Sequence, residues 1–302
     1  MLDVCLLGTG GTMPLKNRWL SSAVFRYNGH IVLADCGEGT QIAFKSASFL
    51  FKSIDVICLT HFHADHVSGI PGMLLSMGNE GRIEPLLIIG PKGTRKVISS
   101  LRVIAPELPF DIEISEIEND EETYVFDGFE ITAFKVKHQV ECYGYRIDVP
   151  RVGKFDVDKA NANSVPVKVW GMLQKEETVV FEGKKYTSDM VLGDSRKGIR
   201  TVFCTDTRPC ESLERNCLDA DLAILEGMYG SDEKEGDAKI KMHMTFGEAA
   251  SIAQKANCKN LWLTHFSPSM PDPESYKDEA ASVFSDVCVG FDGMKTLIKF
   301  PE

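Results

Sequence analysis

Three of the seven histidines in this 302-residue chain fall within one hexapeptide, His61-Phe62-His63-Ala64-Asp65-His66. The hexapeptide directly follows an apolar run, Ile54–Leu59, which is typical of a buried strand. On an extended segment His61 and His63 share one face, because strand side chains alternate, and Asp65 then lies at the following turn with His66. Four potential ligands this close together can serve two adjacent metal ions, and imidazole with carboxylate suits zinc.

Further ligands for such a centre must come from elsewhere in the chain. His138, Asp206 and His265 each stand just past an apolar run that predicts a strand. The three runs are Ile131–Val136, Val202–Cys204 and Leu261–Leu263. Layered α/β proteins tend to place functional side chains at such strand ends, so these three residues are candidate metal ligands.

Strands and helices are mixed through both halves of the chain, which indicates a layered α/β protein. Other predicted strands are Leu2–Leu7, Ala23–Tyr27, His30–Ala34, Leu86–Ile89 and Leu222–Leu225, with Asn28-Gly29 as a hairpin turn. Helices are predicted near Gly93–Val103, Phe246–Lys255 and Pro273–Ser282, and Thr245 with Glu248 has the spacing of a capping box. The acidic stretch Asp111–Glu122 carries spaced isoleucines and is interpreted as one strand with a solvated face.

The overall composition excludes disordered, fibrous and membrane-spanning classes of protein. Apolar residues make up 43% and charged residues 25% of the chain, as in ordinary globular proteins. No run approaches the ~18 apolar residues of a membrane helix, and the first residues show no signal-peptide pattern. Nine cysteines without a Cys-x-x-Cys spacing predict free thiols, and therefore a protein of the reducing cytoplasm. We expect no membrane partner, because no apolar run is long enough.

The charge is unevenly distributed along the sequence. The formal net charge is −11, so any polyanionic partner must be met by a local basic patch. Residues 151–200 hold ten basic and seven acidic residues, which gives +3 there and leaves −14 for the rest of the chain. This composition fits either an insertion that projects from the core or a long surface loop equally well.

Taken together, these motifs resemble the metallo-β-lactamase superfamily and, within it, the short-form ribonuclease Z family of tRNA 3′-end endonucleases. The resemblance is carried by Leu7–Thr12, Ala34–Gln41, His61–His66, Tyr143–Arg146, Thr205–Pro209 and His243–Thr245. It implies a four-layer αβ/βα sandwich formed by a single domain over residues 1–302. It also implies a protruding substrate-binding arm at about residues 151–195.

The resemblance further implies two Zn²⁺ ions per subunit, with Mn²⁺ or another divalent ion as substitutes. One ion takes His61, His63, His138 and Asp206, and the other takes Asp65, His66, Asp206 and His265. Asp65 is implied to orient the attacking water as well. His243, supported by Glu226, is implied to protonate the leaving 3′-oxygen. Asp35 is expected to hydrogen-bond a ligand histidine and fix its tautomer.

The sequence departs from the family pattern at three positions near these residues. The family usually has His-Glu-Ala-Thr where this chain has Leu225-Glu226-Gly227-Met228, so the glutamate is kept and the histidine is not. Ser269 stands where the family often has an arginine, and Thr205 replaces a common glycine. These departures bear on the substrate and the proton relay and leave the proposed ligands unchanged.

Three classes of function remain open at this point. The first is a zinc-dependent endoribonuclease that removes 3′ trailers from precursor tRNA, acting as a homodimer in which each arm reaches over its partner. The second is a hydrolase of small esters, such as a phosphodiesterase, arylsulfatase or lactonase, with no RNA substrate. The third is a non-catalytic metal-bound scaffold or RNA-binding remnant, against which the intact ligand set with Asp65 argues.

Two other kinds of chemistry fit the sequence poorly. The diiron oxidoreductases of the superfamily typically have a carboxylate where His63 stands, and iron prefers hard oxygen ligands. The glycine-rich segment Gly8–Gly11 continues to Met13, where a dinucleotide-binding fingerprint requires its third glycine. We therefore expect no nucleotide cofactor.

Overall fold

The chain forms two seven-stranded sheets and a separate hairpin in a computed structural model that describes residues 1–301. The strands of the first half are β1 (Leu2–Gly8), β2 (Ser22–Tyr27), β3 (His30–Ala34), β4 (Ile54–Cys58), β5 (Leu86–Gly90), β6 (Ile112–Glu116), β7 (Glu121–Phe126), β8 (Phe129–Lys135) and β9 (Tyr143–Arg151). Those of the second half are β10 (Thr178–Phe181), β11 (Lys184–Thr187), β12 (Arg196–Cys204), β13 (Leu222–Glu226), β14 (Leu261–Thr264), β15 (Val287–Val289) and β16 (Lys295–Ile298).

Ten α-helices and five short 3₁₀ turns connect the strands of the described chain. The helices are α1 (Thr40–Ser46), α2 (Ala64–Val67), α3 (Ile70–Asn79), α4 (Thr94–Leu101), α5 (Val157–Ala162), α6 (Val167–Leu173), α7 (Glu211–Cys217), α8 (Glu235–Lys241), α9 (Phe246–Lys255) and α10 (Lys277–Ala281). The 3₁₀ turns are Phe51–Ser53, Arg102–Ile104, Ser188–Met190, Asp232–Lys234 and Pro273–Tyr276. In residues 1–301, none of the helices has both the length and the apolar character needed to cross a membrane.

The backbone divides into two compact units. The larger comprises Met1–Asp148 and Arg200–Lys299, and the smaller comprises Val149–Ile199 with Phe300 and Pro301. The smaller unit contains α5, α6 and the β10–β11 hairpin, and it has an apolar core of its own around Val169, Leu173 and Val191. Its bounds lie close to the predicted arm at 151–195, and the role of that arm stays a prediction.

Both large sheets are mixed. The first runs in the order β16-β1-β2-β3-β4-β5-β6, and its strands are parallel from β3 to β6. The second runs in the order β15-β14-β13-β12-β9-β8-β7, with parallel strands from β12 to β15 and antiparallel pairing from β7 to β9. Because parallel strands end at the same edge of a sheet, the residues that follow β3 and β4, or β12, β13 and β14, come close together.

Helices cover one face of each sheet, and the other faces meet. Phe44, Met73 and Ile98 lie on helices that pack against the first sheet. Leu213, Ala250 and Ala280 do the same on the second sheet. Between the sheets, the Tyr145 hydroxyl on β9 donates to the carbonyl oxygen of Leu59 beyond β4, at 2.6 Å. The predicted four-layer α/β sandwich is confirmed.

Some predicted elements differ in detail. The strand predicted over Asp111–Glu122 is two strands, β6 and β7, which belong to different sheets. The turn between them buries Ile117, whose N–H donates to the carbonyl oxygen of Gly90 at 2.9 Å. Regularly spaced isoleucines indicate which positions are buried, but they do not indicate which sheet each strand joins. Pro273–Ser282 is likewise a 3₁₀ turn followed by the short helix α10, whereas the capping box of Thr245 and Glu248 is confirmed.

Candidate metal centre

The predicted metal ligands converge at the ends of strands from both sheets. His61 and His63 follow β4, and the helix α2 that starts directly afterwards carries Asp65 with His66. His138 follows β8, Asp206 follows β12 and His265 follows β14. All of these residues belong to the larger unit. The two sheets thus bring residues that lie up to 204 positions apart in the sequence, His61 and His265, to one place.

Asp206 divides these ligands into two sets. Its Oδ2 atom lies 3.7 Å from the Nε2 atoms of both His61 and His138, and the Nδ1 atom of His63 is 2.9 Å from Nε2 of His61. Its Oδ1 atom lies 3.3 Å from Nε2 of His66 and 3.0 Å from Nε2 of His265. The two oxygens of one carboxylate therefore face different imidazoles, which is the arrangement of a bridging ligand.

The grouping of donor atoms agrees with this division. The ligand atoms of His61, His63, His138 and Asp206 all lie within 4.8 Å of one another. Those of Asp65, His66 and His265 form a second group with the same spacing. The structure thus brings together every metal ligand that the sequence predicted.

Several of these atoms are buried without a hydrogen-bond partner among the described residues. They are Nε2 of His66, His138 and His265, and Oδ1 of Asp206. Buried polar side-chain atoms are nearly always satisfied, so several orphaned donor atoms at one point need another partner. Imidazole nitrogens and a carboxylate fit a divalent metal, and we conclude that this is a metal-binding site.

In four of the five candidate ligand histidines, the opposite ring nitrogen is held by the protein. Nδ1 of His66 lies 2.7 Å from the Asp35 carboxylate, as the sequence predicted for that residue. Three further contacts hold the other rings: His61 with Thr60 Oγ1 at 3.0 Å, His138 with the Met242 carbonyl at 3.1 Å, and His265 with Ser21 Oγ at 3.0 Å. Such contacts fix ring orientation and tautomer with Nε2 turned toward Asp206. Sequence reasoning assigned no role to these last three partners.

The local electrostatics favour the metal-binding protonation states of His61 and Asp206. For His66, burial lowers the pKa, but Asp206 and Asp35 outweigh it and raise that pKa well above its usual range. Burial, together with the neighbouring His66, lowers the pKa of His61 to about 2, so this imidazole is neutral. Burial raises the pKa of Asp206, but His265 and His66 outweigh it and hold that pKa well below its usual range. Metal ions bind neutral imidazole and ionised carboxylate, so both groups are ready to act as ligands.

The backbone is strained where three of these residues leave their strands. Asp35, Asp206 and His265 have φ angles of 58°, 51° and 58°, which lie in the left-handed region. Side chains other than glycine rarely adopt this conformation, at a cost of about 1–3 kcal/mol for each residue. Such strain concentrates at functional sites, where the surrounding structure enforces it.

Gly11 lies against the metal ligands. A Cβ atom on this residue would stand 2.8 Å from Nε2 of His265 and 2.8 Å from Cε of Met228. The N–H of Gly11 donates to the carbonyl oxygen of Phe266 at 3.0 Å, which fixes the approach. The glycine-rich segment therefore allows backbone to pass beside a ligand imidazole.

Glu226 and His243 form the pair that the sequence predicted. Glu226 ends β13 and is fully buried, and its carboxylate oxygens lie 3.1 and 3.3 Å from Nδ1 of His243. Burial lowers the pKa of His243, but the Glu226 carboxylate and its hydrogen bond outweigh this effect and raise that pKa to about 9. One ring nitrogen of His243 also lies within 4.8 Å of ligand atoms of Asp206 and His265. A protonated imidazole therefore stands at the edge of the metal site.

The departures from the family pattern have simple structural settings. Leu225 is fully buried in the apolar core beneath the second sheet, so it has a packing role there. Thr205 is also fully buried, directly before Asp206. Ser269 is exposed, and its hydroxyl lies 2.8 Å from that of Ser267. The Glu226–His243 contact forms in the presence of all three.

Comparison with known proteins places the chain in a family. A family model described as "Anti-Pycsar protein Apyc1" matches residues 2–153. A protein of Agathobacter rectalis named "Ribonuclease Z" is 52% identical over 302 residues, with 100% of both chains covered.

Two solved structures share the fold. The human short-form tRNase Z has a TM-score of 0.72 at 24% identity, covering 99% of this chain and 100% of that one. YhfI of Bacillus subtilis, described as a metallo-β-lactamase fold protein, has a TM-score of 0.71 at 21% identity, with 98% of each chain covered. At these identities the likeness shows the fold, which is therefore the metallo-β-lactamase fold. By its full-length identity to the Agathobacter protein the chain belongs to the ribonuclease Z family, and its residues 2–153 also fit the Anti-Pycsar protein Apyc1 family.

Proposed function

We propose that this chain is a metal-dependent endoribonuclease that removes 3′ trailers from precursor tRNA. The observation that carries the proposal is the Asp206 carboxylate, whose two oxygens face separate sets of ligands. A site of this kind is suited to two ions, and dinuclear sites are suited to phosphodiester hydrolysis. The full-length identity to proteins named ribonuclease Z supports precursor tRNA as the substrate.

We infer that the resident ions are two Zn²⁺, because imidazole dominates the ligand set. His61, His63 and His138 would hold one ion, and Asp65, His66 and His265 the other, with Asp206 between them. Bound there, two such ions would lower the pKa of a shared water and offset the negative charge on the scissile phosphate. Mn²⁺ or another divalent ion is an alternative that the same ligands accept.

Asp65 has a second part in this proposal. One of its oxygens, Oδ2, accepts the N–H of Thr12 at 2.7 Å and lies 3.5 Å from Nε2 of His66. The carboxylate is therefore fixed at the edge of the ligand cluster and partly exposed. From there it can accept a hydrogen bond from the attacking water and orient it toward the phosphorus atom.

His243 is the proposed proton donor to the leaving 3′-oxygen. Its Nδ1 atom is held by Glu226, which leaves Nε2 as the atom that can donate. The N–H groups of Thr207 and Met244 also donate to Glu226, so the carboxylate is fixed in place. A leaving alkoxide is strongly basic, and protonating it in the transition state contributes about 10²–10⁴-fold to the rate.

The smaller unit is the proposed tRNA-binding arm. Residues 151–200 carry +3 on a chain of net charge −11, and a local positive charge favours contact with a phosphate backbone. We further infer a homodimer that works in the cytoplasm. The nine cysteines, all among the described residues and all free, are compatible with a reducing compartment.

The proposal is tested by incubating zinc-loaded protein with a 3′-extended precursor tRNA and, in parallel, with a small phosphodiester. We expect one discrete shortened tRNA that ends in a 3′-hydroxyl, with the phosphate left on the trailer. The variant His63→Ala should lose most activity at saturating metal while its circular dichroism spectrum stays unchanged. Hydrolysis of the small substrate alone would support the small-ester class instead.

A further inference from the structure

Arg208 is a buried cation outside the metal-ligand set. It is 8% exposed, and its guanidinium forms two parallel hydrogen bonds with the Glu248 carboxylate, one of them 2.8 Å long. The same guanidinium donates to the main-chain carbonyl of His243. A buried ion pair is in itself only weakly stabilising, because both charges lose their hydration. Its position against the backbone of the proposed proton donor suggests a different role.

The pair anchors the chain on the C-terminal side of His243. Glu248 is the third residue of α9, and its carboxylate accepts the N–H of Thr245 at 3.0 Å. The Thr245 hydroxyl in turn accepts the N–H of Glu248 at 3.2 Å. On the N-terminal side, the N–H of His243 donates to the carbonyl of Ala238 at 2.9 Å. The backbone of His243 is thus held from both directions.

Arg208 is equally tied to the metal ligands. It lies two residues beyond Asp206, and its N–H donates to the carbonyl of Lys137 at 2.8 Å. The N–H of Lys137 donates to the Thr207 hydroxyl at 3.1 Å, next to the ligand His138. A single arginine therefore connects two metal-ligand loops to the loop that carries His243.

We propose that Arg208, held by Glu248, is a positioning residue that sets the His243 imidazole relative to Asp206 and His265. The inference rests on the proposed function, in which His243 protonates the leaving oxygen. Arginine suits this role because one planar group supplies the paired hydrogen bonds to Glu248 and a third to the carbonyl. A displacement of about 1 Å in such a group can cost about 10²-fold in rate.

The test uses phosphodiesters whose leaving groups differ. A poor alkoxide, as in precursor tRNA or an alkyl phosphodiester, needs the proton, whereas an activated nitrophenolate departs without one. We expect Arg208→Met to lower kcat for the alkoxide substrates about 10²-fold, with KM and bound zinc unchanged. Activity on the nitrophenyl ester should stay within about twofold, because that step does not depend on His243. Arg208→Lys should recover only part of the loss.

A double-mutant comparison separates positioning from general damage to the fold. In a His243→Ala background there is no imidazole left to position, so adding Arg208→Met should cost no further activity. Glu248→Gln, which keeps the side-chain shape, should lower kcat less than Arg208→Met does. Its effect should again be confined to substrates with a poor alkoxide leaving group. Arg215→Met is the matched control, since it breaks an exposed arginine–glutamate pair of 2.9 Å with Glu121 and should change neither activity.

Two outcomes would overturn the inference. One is an equal loss on alkoxide and nitrophenyl substrates, and the other is the same loss from Arg208→Met whether or not His243 is present. If Arg208→Met fails to fold, Arg208→Lys and Glu248→Gln carry the same comparisons. The alkyl and nitrophenyl esters need no RNA, so a wild-type protein that ignores precursor tRNA would count against the proposed function and leave this test in force.

Discussion

The Asp206 carboxylate is almost fully buried, and its neighbours are imidazoles rather than lysine or arginine side chains. Four histidine nitrogens lie within 3.7 Å of its oxygens. An ionised carboxylate is costly to bury without a compensating positive charge. Burial lowers the pKa of His66, but Asp206 and Asp35 outweigh it and raise that pKa well above its usual range, so this imidazole supplies positive charge. Metal cations bound to the same imidazoles would supply it in their place. The burial of this carboxylate is therefore explained if Asp206 is one ligand of a metal site.

Asp35 should control metal affinity through His66. Its carboxylate lies 2.7 Å from Nδ1 of His66 and so favours a proton on that atom, which leaves Nε2 as the atom that would bind metal. In Asp35→Asn the amide NH₂ can donate to Nδ1, which would favour a proton on Nε2. We expect zinc affinity to fall about 10–100-fold, measured by competition with a chelator of known affinity.

A surface pair provides the control for that prediction. Asp55 contacts Nδ1 of His30 at 3.0 Å, and both side chains are more than a third exposed. The change Asp55→Asn removes a similar carboxylate–imidazole contact away from the metal ligands. It should leave zinc affinity unchanged. Equal losses in the two variants would show that Asp35 has no particular effect on His66.

The ligands themselves could be predicted from the sequence, whereas most of the residues that orient them could not. His61, His63, Asp65 and His66 stand out because they cluster after an apolar run. Ser21 and His265 are 244 residues apart, and no local pattern connects them. The contact of His138 with Met242 is made by a backbone carbonyl, so the residue type at position 242 does not predict it. These contacts exist only once the two sheets have come together.

Tyr145 links the second sheet to the strand end that carries the first ligands. Its hydroxyl is fully buried and donates to the carbonyl of Leu59, two residues before His61. Tyr145→Phe leaves that carbonyl without this donor, and we expect a loss of about 1–2 kcal/mol in the free energy of unfolding. Urea denaturation measures the effect.

Tyr124→Phe is the corresponding control for a weaker contact. The Tyr124 hydroxyl is only partly buried and accepts from Ser115 at 3.3 Å. Its removal should change the unfolding free energy by less than about 0.5 kcal/mol. Both hydroxyls make a hydrogen bond between the sheets, since Ser115 lies on β6 and Tyr124 on β7. Equal losses in the two variants would therefore show that the short, buried hydrogen bond of Tyr145 stabilises the fold no more than the long, partly buried one of Tyr124.

Elements bounded by clear signals were predicted well, and elements without such signals were missed. The helix α9 matches the predicted Phe246–Lys255 because its capping box marks its start. The helix α1 begins after Gly39 with no side-chain cap, so the sequence contains no capping residue that predicts its start. The strand β9 contains Gly144, which looks like a strand breaker. In the structure that glycine accommodates the ring of Phe134 on β8, since a Cβ atom would lie 2.4 Å from it.

Charge on the smaller unit should govern RNA binding and leave the chemistry unaffected. Its exposed lysines include Lys168, Lys175, Lys184 and Lys185. Replacing these four with glutamine should raise KM for precursor tRNA about tenfold and make its salt dependence shallower, since fewer counterions are released on binding. Hydrolysis of a nitrophenyl phosphodiester should be unchanged in the same preparation.

The acidic residues of the same unit allow a test of sign. Replacing the exposed Glu176, Glu177 and Glu182 with glutamine makes the unit more positive, so KM for precursor tRNA should fall. Damage to the fold would instead weaken binding in both sets of variants. Changes of opposite sign in KM for precursor tRNA between the two sets of variants would support the smaller unit as the RNA-binding arm. Changes of the same sign would contradict that role.

The central claim is that two metal ions lie on either side of the Asp206 carboxylate. The most direct measurement is anomalous diffraction at the zinc absorption edge from zinc-loaded crystals. We expect two peaks, one among His61, His63 and His138 and the other among Asp65, His66 and His265, each in contact with one oxygen of Asp206. A single peak, or two peaks of which neither contacts Asp206, would contradict the account.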